Sequence, residues 1–354
     1  TTPQAAGSAA SGVNFNGYTN ASDQVRFGGW AGTFTNAAGT ATDFTTSTAN
    51  VTINTDRMFV ASTGLGPNFK TSGFVKILPV EQSFDVNSVA AGYNFQLMTL
   101  SSDVSEFQIG RAGADSTVQS TNALTVASAV SIAGPISVYG GNVTMSSALT
   151  TSGASDHIKI QATGTATTSA AVSTTGATSN VTITGTNLST AAITTTTGNI
   201  TLTGSGTVTS SGTLTAGGTG STVSATGTTM SVAAVTANAG ITITGSAGVT
   251  ASGTLTTSGT TAPISVSGTS VSTAASSSTG TVSLTSTSTT LATGAITAAG
   301  NITLTGATTV TGTGTSSSTG TGSTITATGT TMSFASLSGH SGISVTGSAG
   351  TTIT

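Results

Sequence analysis

Side chains that can do acid–base or metal chemistry are scarce in this sequence of 354 residues, which holds 6 Lys and Arg, 9 Asp and Glu, 2 His and no Cys. Asp103, Glu106, Arg111 and Asp115 are the nearest thing to a cluster. Cleavage of a polysaccharide needs two positioned carboxylates, or a carboxylate and a base, on either side of the scissile bond. No second cluster stands to face these four, so a carbohydrate-processing enzyme is disfavoured. His157 precedes an apolar-alternating segment, and His340 lies in Ser338-Gly-His-Ser-Gly342; both read as turn residues. The Gly-rich run GTGTSSSTGTG from Gly312 lacks the lysine of a phosphate loop and reads as a turn. The repeats described below contain no Asp, unlike calcium-binding coils with Gly/Asp turns. No catalytic residue, cofactor or metal is expected, and the chain does not read as an enzyme.

The placement of charge says more than its amount. Charged residues are 4% of the chain, against about 25% in ordinary soluble proteins. Thirteen of the fifteen lie between Asp23 and Asp115; Asp156 and Lys159 are the others, and residues 160–354 have none. Ten of the eleven Phe and Trp30 precede Gln108. Composition therefore changes near residue 115. A mean hydropathy of +0.26 and abundant Val, Ile and Thr argue against a disordered tail. No apolar run is long enough for a membrane helix, so membrane insertion is not expected. A net charge of −3 without a basic cluster argues against a nucleic-acid partner.

What the chain has in quantity is the hydroxyl group, and a repeat arranges it. GNITLTG occurs at Gly198 to Gly204 and again at Gly300 to Gly306, 102 residues on. A shorter signature (apolar, Ser/Thr, small or apolar, Ser/Thr, usually Gly) starts at Ile136, Ile158, Val181, Ile200, Val223, Ile241, Ile264, Val282, Ile302, Ile325 and Ile343. The steps between successive starts are 22, 23, 19, 23, 18, 23, 18, 20, 23 and 18, with a mean of 20.7. Alternation with period two is the pattern of a strand buried on one face. Ile200 and Leu202 are thus expected inside, Thr201 and Thr203 outside. A second short strand is expected in each repeat, with Val208 and Leu214, Met230 and Val232, Val249 and Leu255, or Met332 and Phe334. A unit this small cannot bury its apolar face alone and must stack on its neighbours.

Helical repeats fail for want of a helical period. An outer-membrane barrel fails because Tyr139 and Phe334 are the only aromatics after Gln108, too few for girdles. The expected fold is all-β: a right-handed parallel β-helix, or β-solenoid, with coils of about 20 residues. Residues 1–50 read as an aromatic-rich cap or assembly element, 51–135 as irregular coils and 136–354 as regular repeats. In the first segment Phe15, Tyr18, Phe27, Trp30 and Phe34 are candidate assembly contacts. At the other end the coil pattern is still in register at Ile343, Val345 and Ile353. That suggests either continuation into a longer chain or self-association head to tail as a filament.

Two further patterns qualify the surface. Asn142, Asn180, Asn187, Asn199 and Asn301 begin Asn-x-Ser/Thr sequons, but four of the five directly precede a strand, where Asn is a natural turn residue. Thr201/Thr203, Thr242/Thr244 and Thr303/Thr305 form an exposed T-x-T ladder, which raises an ice-binding alternative. Ala at the third signature position in the Val223 and Ile325 repeats, Ser in several others and spacing that alternates between 18 and 23 are expected to spoil the regularity such a face needs.

Several segments resemble bacterial exoproteins of the filamentous-haemagglutinin type. These are Ser105-Glu-Phe-Gln-Ile-Gly-Arg-Ala-Gly113, residues 129–142 (AVSIAGPISVYGGN), the two GNITLTG copies, Gly73-Phe-Val-Lys-Ile-Leu-Pro79 and Gln82-Ser-Phe84. The likeness covers roughly residues 55–354. The family's secretion-domain motif is not found, with Gly66-Pro-Asn-Phe69 the nearest segment. The resemblance implies a right-handed β-helix exported to the bacterial cell surface or an extracellular fibre. It also implies an adhesin or structural role, with host-surface or matrix glycans as partners.

Overall fold

The computed structural model describes residues 122–354 without a break, preceded by residues 50–54, 71–79 and 99–112. It adds the backbone of the short strands Val13–Asn16, Val25–Phe27, Met58–Val60, Asn68–Phe69 and Tyr93–Asn94. Among the described residues every regular element is a strand, and the strands stack in parallel as a β-solenoid with coils of about 21 residues. The chain forms two compact units, Thr1–Gly185 and Thr186–Thr354.

In the second unit each full coil presents three faces, here called A, B and C, formed by separate strands in some coils and by one continuous strand in others, such as Gly240–Thr257. In the coil that starts at Ile200 they are Ile200–Gly204, Thr207–Ser210 and Leu214–Ala216. Val208 and Leu214, expected on one strand, therefore lie on two. The chain bends at Ser211 and Gly212, where the inward Ser210 hydroxyl turns back to donate to the Gly212 carbonyl at 3.0 Å. Face A carries the signature, and its register reproduces the sequence spacing: Ile200 pairs with Val223, then Ile241, Ile264, Val282, Ile302, Ile325 and Ile343. Ile200, Leu202, Ile302 and Leu304 are fully buried, while the threonines between them face out.

Register also shows where the alternation of long and short coils arises. From Ile200 the inward positions run to Val208, Leu214 and Val223, in steps of 8, 6 and 9; from Val223 they run to Met230, Val235 and Ile241, in steps of 7, 5 and 6. Most of the difference lies at the corner from face C to face A. Each long corner turns through a left-handed residue four positions past the last inward residue of face C: Gly220 (φ 81), Thr261 (φ 54) and Gly322 (φ 82). Glycine is at ease there, whereas a β-branched residue is strained. Thr261→Gly is accordingly expected to raise stability by about 1 kcal/mol. The check is the urea midpoint of the full chain at unchanged m-value; a fall would mean that Thr261 makes contacts worth more than its strain.

Packing inside the second unit is narrow enough for size to be matched across coils. Phe334 lies over Gly312, where an added Cβ would sit 2.7 Å from the ring. The equivalent pair 102 residues earlier is Ser210 with Val232, so a larger residue in one coil is met by a smaller one in its neighbour. Hydroxyls enter the core as well. Thr257 donates to the Ala262 carbonyl at 2.8 Å, and Thr195 likewise to Gly198, satisfying corner carbonyls that no strand reaches. Thr190, Thr273, Ser276 and Ser316 are buried with hydroxyls that have no partner, each at a cost of about 1–3 kcal/mol.

The first unit follows the same plan with less regular coils. On face A, Val51 pairs with Val75, then Phe107, Ile136, Ile158 and Val181, in steps of 24, 32, 29, 22 and 23. The register thus runs through the change of composition near residue 115. Face C comprises Val130–Ile132, Leu149–Thr151 and the start of Val172–Ala177. Its two long corners carry Ser155 (φ 63) and Thr178 (φ 59) in the left-handed conformation, their hydroxyls 3.0 Å apart.

Candidate functional site

The outward side of face A in the second unit is the most regular surface of the described residues. Parallel register sets like residues over like, so each outward position becomes a column across the coils. One column reads Thr201, Ser224, Thr242, Ser265, Ser283, Thr303, Thr326 and Ser344. The next reads Thr203, Thr226, Thr244, Ser267, Thr285, Thr305, Thr328 and Thr346. All six candidate ladder residues fall in these columns, and every member of both is partly or fully exposed.

Two structural features keep the columns unbroken. Ala225 and Ala327, expected to interrupt the face, point inward and are at most 1% exposed. The uneven coil lengths are taken up at corners, away from the face. Strand geometry places neighbours about 4.8 Å apart within a column and the two columns about 7 Å apart along each strand. Ser267 Oγ donates to Thr244 Oγ1 at 3.5 Å, near the limit for a hydrogen bond, as this spacing requires. The other two faces are less uniform: on face B the outward column passes Ser231, Thr250 and Ser272 and then meets Ala292. Face C offers one hydroxyl column, through Thr215, Thr236, Thr256, Ser277 and Thr297.

Asparagine has a more specific task than filling turns. Asn199 Oδ1 accepts the Thr222 amide at 2.8 Å, and Asn301 Oδ1 accepts the Thr324 amide at 2.9 Å, each 23 residues later and one coil on. Asn142 and Asn187 accept the amides of Thr165 and Thr207 at another corner, at 2.8 and 2.9 Å. Each ties a corner, where strand hydrogen bonds lapse, to the coil stacked on it; such a bond contributes about 1 kcal/mol. The sequon pattern marks these positions because the cap is followed by the outward Ser or Thr of a strand. His157 joins the series: its Nδ1 accepts the Asn180 amide at 3.2 Å, again 23 residues on.

The charged groups of the first unit are committed separately. Glu106 pairs with Lys76 at 3.0 Å, and that ammonium also lies 4.8 Å from the Phe74 ring centroid. Arg111 Nε donates to the Pro79 carbonyl at 2.8 Å, and Asp103 accepts from Ser102 Oγ at 3.4 Å. Lys159 lies 5.4 Å from the Tyr139 ring centroid. Burial raises the Asp156 carboxyl above the usual carboxylate range, and His157 beside it opposes the rise. Among the described residues, no group of three or more His, Asp or Glu is placed to hold a metal ion. Asp115, Tyr18, Trp30 and Phe34 lie outside the described residues, as do the side chains of Phe15 and Phe27. Family models, characterised proteins and solved structures were all compared with this chain, and none matches it.

Proposed function

We propose that this chain is a structural element of an extracellular or bacterial cell-surface fibre or adhesin. The observation that carries this reading is the parallel register of face A, unbroken from Ile200 to Ile343, which sets each coil on its neighbour with like residues in line and clothes that face in hydroxyl groups. Such an array holds its form through nearest-neighbour contacts and lengthens by adding coils. It suits a spacer or fibre better than a site that must gather unlike groups around a substrate. The resemblance to haemagglutinin-type exoproteins points the same way, with glycans of a host surface or matrix as the partners of an adhesin. Immunogold electron microscopy of the source cells, with antibody raised against this chain, tests it. Label on extracellular fibres or the outer surface is expected; label confined to the cell interior would sink the proposal.

A second reading, an ice-binding face, is favoured by one specific observation. The two hydroxyl columns of face A are continuous over eight coils, with Ala225 and Ala327 turned inward rather than interrupting them. A regular array of uncharged hydroxyl groups, here with Ser at five of the sixteen positions and Thr at the rest, can order a layer of water. Thermal hysteresis of the purified chain decides, with Thr244→Tyr as the variant that spoils the grid. Hysteresis abolished in the variant supports ice binding, and none in the parent removes it.

A further inference from the structure

His157 stands where other coils place asparagine. It precedes the face A strand Ile158–Ala162, as Asn199 precedes Ile200–Gly204 and Asn301 precedes Ile302–Gly306. All three accept the backbone amide found 23 residues later at the same corner: Asn180, Thr222 and Thr324. An asparagine oxygen accepts at any pH. An imidazole nitrogen accepts only while it carries no proton, so the Nδ1 contact requires the neutral ring with its hydrogen on Nε2. We propose that His157 is a pH-sensitive latch between two coils of the first unit: its neutral ring holds the Asn180 amide, and its protonation releases it.

The sign follows from the donor count. A protonated ring sets an N–H against the Asn180 N–H, so the bond is present at high pH and lost as acid converts the ring to its cation. The surroundings do not override this. The charged neighbours on the same segment are Asp156 and Lys159, while the coil above contributes the neutral residues 176–182. The coil below contributes Pro135 and Tyr139, and beneath it Lys76 and Glu106 pair with each other. Asp156 acts in the opposite sense, because a carboxyl whose proton is favoured by burial gains stability as pH falls. The corner keeps its other ties in both states, Ser155 N–H to the Ala177 carbonyl at 2.7 Å, Ile158 N–H to the Asn180 carbonyl at 2.9 Å and the Ser155 and Thr178 hydroxyls 3.0 Å apart, so only the His157 contact is released.

Amide hydrogen exchange of the full chain tests the latch, with Thr222 and Thr324 as references inside the same molecule. Intrinsic exchange varies with pH alike at all three amides, so their ratio isolates the cap. On acidification that charges the ring, protection of Asn180 relative to the two references is expected to fall by about 2- to 10-fold, the worth of one net hydrogen bond. His157→Asn is expected to keep Asn180 protected throughout. A ratio that does not change with pH in the parent overturns the proposal. So does the same change in His157→Asn, which would trace it to Asp156.

Discussion

Aspartate in place of Leu304 abolishes the folded stack around that coil, whereas aspartate at the adjacent Thr305 leaves the melting transition close to that of the parent. Leu304 is fully buried on face A between Leu284 and Ala327, and Thr305 lies in the outward column beside it. A carboxylate at Leu304 would enter a core with no charged partner within residues 160–354, and an unpaired buried charge costs several kcal/mol even after relaxation. That is a large part of the whole margin of about 5–15 kcal/mol by which folded domains persist. The damage spreads because each coil is held by its neighbours. Limited proteolysis with peptide mapping reads both outcomes, as new cleavage centred on residues 280–330 in L304D and the parent pattern in T305D. Parent-like resistance in L304D, or equal damage in both variants, would mean that the inside and outside of face A are wrongly assigned.

The same contrast bears on the missing charges. Nothing in the packing forbids charge at outward positions such as Thr203 or Thr305, and the first unit carries Lys76 and Lys159 on the outward side of its own face A. The absence of charge from residues 160–354 is therefore not demanded by the fold. It belongs with surface chemistry, and it fits either a fibre whose sides are uniformly hydroxylated or a face that must match an ordered layer of water.

Face A was legible in the sequence because its inward residues are Ile, Val and Leu set between hydroxyls, so period two shows without ambiguity. Faces B and C were not separated. Their strands in the Ile200 coil, Thr207–Ser210 and Leu214–Ala216, are too short for a period to establish itself, and the bend at Ser211 and Gly212 uses the same residue types as the strands. Inward hydroxyls hide for a related reason. Thr257, buried against the Ala262 carbonyl, is the same residue as the half-exposed Thr256 beside it, and only register tells them apart. Ala225 and Ala327 misled in the opposite direction, since a small residue at an inward position looks like a gap in an outer ladder. The caps at Asn199, Asn301 and His157 depend on an amide 23 residues away, which no local pattern announces.

Removing residues 223–263 is expected to give a chain that still folds cooperatively, and removing residues 223–252 one whose second unit does not. The first deletion takes out one short coil and one long one, joining Thr222 to Ile264. Ile264 then pairs with Ile200 as Val223 did, and like Val223 it opens a short coil, so every later corner keeps its length. What is lost is two nearest-neighbour interfaces, and stability falls in proportion without a change in the character of unfolding. The second deletion brings the face B-to-C corner at Gly253 to the start of face A. Gly253 then stands where Val223 covered Ile200, and the inward Ile264 and Val266 fall at the positions of Ala234, in the bend, and Thr236, on the outer side of face C. Circular dichroism melts of the two variants separate the outcomes. Folding of both would show that register is not specified by these side chains. Loss of both would show that the coils are not interchangeable, and that some long-range contact, rather than coil resting on coil, holds the second unit together.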